Sequence, residues 1–81
     1  MSNKLPVTIK QDVDILLYNF YPEALTPMQV MRKVNNPITG CYDWHEYSHY
    51  LEELNRKGTV RMVGLNADGM SKYVYNERSI T

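Results

Sequence analysis

Apolar side chains recur three and four positions apart over residues 8–21. Ile9, Val13, Leu16, Leu17 and Phe20 share one helical side there, with Lys10, Gln11 and Asp14 off it. Thr8 and Gln11 have capping-box spacing, which predicts that a first helix opens at Thr8. Pro22 ends it near Tyr21, because proline disfavours a helical conformation in the residue before it. Residues 1–7 carry no pattern and read as a frayed or strand-like lead-in. A second helix is predicted over 26–34, with Thr26 as N-cap and Pro27 at the first helical position. Gln29 closes its capping box, and Leu25 and Val30 are spaced as a hydrophobic staple. Asn35-Asn36-Pro37 breaks it and begins a long loop.

The third helix is predicted over 43–57. Asp43 caps it with Glu46 three residues on, and Tyr42 and Tyr47 stand as a staple. Trp44, Tyr47, Leu51 and Leu54 form its apolar stripe with Tyr50 at the margin, and Gly58 follows the basic pair Arg56-Lys57 as a stop. From there the period changes to two: residues 59–65 and 70–76 alternate on either side of the turn-forming Asn66-Ala67-Asp68-Gly69. Residues 77–81 have no pattern. With 81 residues in all, the expectation is one α+β domain, three helices followed by a two-stranded antiparallel hairpin over 59–76.

Two stretches within this order resemble the winged helix-turn-helix superfamily. Leu25-Thr26-Pro27-Met28-Gln29-Val30 looks like the second-helix opening of MarR-type and related winged-helix regulators. Leu51-Glu52-Glu53-Leu54-Asn55-Arg56-Lys57-Gly58-Thr59-Val60 is similar to their passage from recognition helix into wing. The resemblance implies a small DNA-binding regulator of transcription or replication, whose third helix enters the major groove while the hairpin touches the adjacent backbone. His45, Ser48 and His49 lie off the apolar stripe and are the base-facing candidates. Arg32, Lys33, Arg56, Arg61 and Lys72 are the phosphate-binding candidates. Operators are commonly met by two-fold dimers, so a homodimer is expected, with Tyr18 and Tyr21 of the first helix as interface candidates.

Charge complicates that picture. Nine Lys and Arg balance nine Asp and Glu, and the third helix with its cap holds four acids against two bases. The presumed reading head is therefore net acidic, which weakens the counterion-release contribution to DNA affinity. Glu52, Glu53, Arg56 and Lys57 also fit a plain solvated helix face. The rival function is a winged-helix module that binds a protein, an inhibitor or adaptor, for which seven tyrosines supply contact area.

Cys41, His45 and His49 are spaced four apart, as a metal site would allow, but lack a fourth ligand, so no metal and no cofactor is expected, and the three read instead as a buried free thiol and two exposed histidines. No Gly-rich phosphate loop or nucleophile–base order appears, so no enzyme is expected. A lone cysteine, the lack of an 18-residue apolar run and the lack of a charged-then-apolar leader point to a cytoplasmic protein without a membrane span.

Overall fold

Elements follow the winged helix-turn-helix order in a computed structural model that describes residues 5–38 and 40–77. They are α1 (Val7–Phe20), α2 (Pro27–Val34), α3 (Trp44–Lys57) and an antiparallel hairpin of β1 (Val60–Leu65) and β2 (Ser71–Tyr75). Residues 1–4 of the lead-in, Thr39 and residues 78–81 of the tail lie outside the described residues.

The first helix starts earlier than its apparent capping box. Its N-cap is Pro6, without a side-chain cap bond, and the Lys10 amide donates to the Pro6 carbonyl at 3.0 Å. Thr8 already lies inside the helix, so its expected box with Gln11 is not the cap. Proline suits this position because it has no N–H to leave unpaired. Leu5, expected in an unpatterned lead-in, is buried in the core and holds the chain at its entry. Ile9, Val13 and Leu17 are buried as the periodicity predicts, with Leu16 and Phe20 packed beside them.

For α2 the expected cap forms in full. The Gln29 amide donates to Thr26 Oγ1 at 3.2 Å, and the Thr26 amide donates to Gln29 Oε1 at 2.9 Å. Leu25 and Val30, the staple pair, are both buried.

In α3 the Asp43 carboxylate accepts from the Trp44 amide at 2.9 Å, while the Glu46 amide goes to the Asp43 carbonyl at 3.0 Å. The capping residue is as expected, but it bonds the first helical amide rather than the third. Gly58 closes the helix at φ +86°, a left-handed conformation that glycine adopts without steric cost. Tyr47, Tyr50, Leu51 and Leu54 are buried and Trp44 is half-buried, so Tyr50 belongs to the core rather than to its margin.

The long loop between α2 and α3 is held by one side chain. Asn35 donates from Nδ2 to the Tyr42 carbonyl at 2.9 Å and accepts the Tyr42 amide on Oδ1 at 2.9 Å, as a strand partner would. The same Oδ1 accepts the buried Tyr47 hydroxyl at 2.6 Å. Asn36 and Gly40 pair through their backbones, and Ile38 stands 92% exposed at the tip between them.

Two features of the sheet were not foreseen. Leu25 and Tyr73 exchange backbone hydrogen bonds of 2.8 Å each, so the stretch before α2 flanks β2 as a one-residue strand. Register shifts between Met62 and Gly64, leaving Val63 in a bulge, with Gly64 at φ +137°. Val60 and Tyr73 face the core against α1 and α3. Among the described residues, no helix is long and apolar enough to cross a membrane.

Candidate nucleic-acid interface

Burial of Tyr47, Tyr50, Leu51 and Leu54 leaves positions 45, 49, 52 and 56 on the outward side of α3, with Ser48 at the edge nearest the hairpin. His45, His49, Glu52 and Arg56 are exposed there, and Ser48 is half-buried. The base-facing candidates His45, Ser48 and His49 thus share one end of one helix. His45 is fixed in place: its Nδ1 lies 3.3 Å from Asp43 Oδ2, and its ring stacks on Trp44 at 3.9 Å between centroids. Lys57 pairs with Glu53 at 3.1 Å, and hydrogen bonding from Lys57 holds that carboxyl below its ordinary value.

Phosphate candidates are scattered rather than gathered. Arg56 lies on the outward side of α3. Arg32 lines a shallow hollow between α2 and the hairpin turn, together with Gln29, Asn66 and Asp68. Lys33 instead reaches back over the Phe20 ring, its Nζ 4.7 Å from the centroid. Arg61 pairs with Val74, and Lys72 with Gly64. By strand alternation both project from the sheet face opposite to Val60 and Tyr73, hence away from α3. Arg61 lies near the end of α1, where its charge opposes the upward push that burial and Glu77 give the Tyr21 phenol.

The interface candidates differ from one another. Tyr18 is 52% exposed and meets Tyr75 edge to face at 5.5 Å, whereas the Tyr21 hydroxyl donates to Glu77 at 3.2 Å. Val7 and Ile15 are also exposed on the Tyr18 side of α1. Cys41 is exposed rather than buried, and among the described residues no group of three ligating side chains converges on a metal position.

Sequence reasoning missed a second feature beside α3. Trp44, Ser48 and Glu52 form the helix wall of a hollow whose other wall is Met70, Ser71 and Tyr73 of the hairpin. The signal was present as the i, i+4, i+8 spacing of residues 44, 48 and 52, but their facing partners come from the hairpin, about twenty residues further along the chain. No protein-family model and no curated protein matches this chain.

Proposed function

We propose that this protein binds double-stranded DNA as a small cytoplasmic regulator of transcription or replication, with α3 in the major groove and the hairpin against the flanking backbone. The observation that carries this reading is the outward side of α3, where His45, His49 and Arg56 stand exposed and Ser48 half-buried beside a hairpin. A helix of this kind fits the major groove, and such side chains donate to base edges or phosphates. Arg56 and Arg32 are the nearest phosphate partners; Arg61 and Lys72 reach backbone only past the far face of the hairpin. A two-fold dimer would pair the α1 sides that carry Val7, Ile15 and Tyr18.

One observation favours a second reading, a winged helix that binds a protein. Met62, Val63 and Leu65 are 48%, 43% and 62% exposed on β1, apolar area of the kind that protein interfaces cover. Fluorescence anisotropy of a labelled random duplex at about 50 mM salt separates the two, because non-specific DNA affinity is electrostatic and greatest at low salt. DNA binding predicts a saturable rise. Combined Arg32→Ala and Arg56→Ala substitution would weaken it and flatten its salt dependence by about one unit for each lost phosphate contact, whereas His45, Ser48 and His49 are tested by discrimination between duplexes of different sequence. Light scattering would find two chains per duplex. A folded protein that leaves the anisotropy unchanged overturns the DNA reading in favour of the second.

A further inference from the structure

The hollow between α3 and the hairpin turn encloses about 220 Å³ and is lined by Trp44, Ser48, Glu52, Met70, Ser71 and Tyr73 among others. Among the described residues, Glu52 is its only charged lining group. That carboxylate is exposed and has no ion pair among the described residues: Lys57 goes to Glu53, and Arg56, one turn along, leaves Glu52 unpaired. Tyr73 is buried, and its phenol is pushed up first by burial and then by the facing Glu52 charge, with the Ser71 hydroxyl acting against them. Glu52, Ser71 and Tyr73 therefore line one space and act on one another electrostatically.

Such a lining selects by charge and by shape. A carboxylate with hydroxyl neighbours and no lining base repels an anion and attracts a cation. Aromatic and thioether walls favour a flat, weakly hydrated cation over a compact ammonium, and a guanidinium both stacks on a ring and offers a fork of N–H donors to a carboxylate. The volume is below the roughly 300–1,000 Å³ typical of sites for whole small molecules, so it suits one side chain. Free arginine is disfavoured because no lining base would meet its α-carboxylate.

We propose that this hollow is a guanidinium site, which takes an arginine side chain presented by a partner polypeptide, with Glu52 as its acceptor and Trp44 as its stacking wall. The inference does not rest on DNA binding, and its test needs no nucleic acid.

Trp44 is the chain's single tryptophan, so fluorescence excited selectively at the indole, apart from the seven tyrosines, reports on this site. The probe is a capped Gly-Arg-Gly peptide at constant ionic strength, compared with the same peptide carrying neutral, isosteric citrulline and with uncapped free arginine. The arginine peptide is expected to quench saturably with a Kd on the order of 1 mM, as befits one side chain. Citrulline and the Glu52→Gln variant are each expected to weaken binding about tenfold, through loss of a charge-assisted hydrogen bond. Glu52 is exposed, so the variant should fold, and its far-UV spectrum checks this. Amide shifts caused by the peptide should cluster at Ser48, Glu52, Met70 and Ser71. Equal quenching by citrulline, or an unchanged Kd in folded Glu52→Gln, overturns the guanidinium site. Free arginine binding more tightly than the capped peptide overturns the polypeptide source.

Discussion

At Asn35 one carboxamide serves the amide and carbonyl of Tyr42 and the hydroxyl of Tyr47. Tyr47 is fully buried, and burial raises its phenol pKa to about 12, so its proton stays on and needs an acceptor. Asn35→Ala removes that acceptor and is expected to cost about 2–3 kcal/mol, the desolvation penalty of an orphaned polar group plus the lost loop bonds. In a domain of this size that lowers Tm by on the order of 10 °C; a melting curve within about 2 °C of the parent contradicts it. In the sequence Asn35 read only as a helix breaker, because its partners lie seven and twelve positions further along. No local periodicity encodes such contacts.

Asp14 offers a pH test. The Tyr50 hydroxyl donates to it at 2.9 Å, yet its pKa is raised from 3.8, first by burial, with Tyr50 and Lys57 acting the other way. A carboxyl that holds its proton more tightly in the folded state makes its stabilising contribution in acid and loses it as pH rises through the folded value. Asp14→Asn keeps an acceptor for Tyr50 and removes the cost of ionisation. The variant should therefore melt higher than the parent near about pH 7, with the difference shrinking as pH falls through the raised value. A variant that melts lower than the parent near neutrality contradicts this sign.

Among the elements, two threonines with the same apparent signal separate real capping from coincidence. Thr26 sits before Pro27 with Leu25 and Val30 packed around it, and its box is made. Thr8 has the same spacing to Gln11, but Pro6 and buried Leu5 set the helix start ahead of it. Thr26→Ala is expected to cost about 1–2 kcal/mol, whereas exposed Thr8→Ala should fall within about 0.5 kcal/mol of the parent. Chemical denaturation of both variants checks this; equal losses would contradict the cap assignment.

Helix order, the α2 cap, the glycine stop after α3 and the hairpin were legible because each rests on residues within a few positions of one another. The Leu25 strand and the Val63 bulge were not, since both depend on pairing with β2. The side of the hairpin on which Arg61 and Lys72 stand follows from that register. The sequence therefore offered Arg61 and Lys72 as basic residues of the hairpin, while the face on which they stand required the fold.

Over the whole molecule, nine positive and nine negative side chains do not cancel locally. Glu52 lies between α3 and the hairpin, Arg32 sits across the hairpin turn, and Arg61 and Lys72 occupy the far sheet face. A duplex laid against α3 meets Arg56 and Arg32 first, so its binding should be weak and governed by a few phosphate contacts. The direct measurement is the affinity for a random duplex across a salt series. DNA binding through this face predicts a linear fall of log affinity with log salt, with a slope of about −2 or steeper, because each neutralised phosphate contributes about −0.9. Arg56→Ala should flatten that slope by about one unit. A folded protein with no affinity for duplex at about 50 mM salt, or a slope that Arg56→Ala leaves unchanged, contradicts binding through α3.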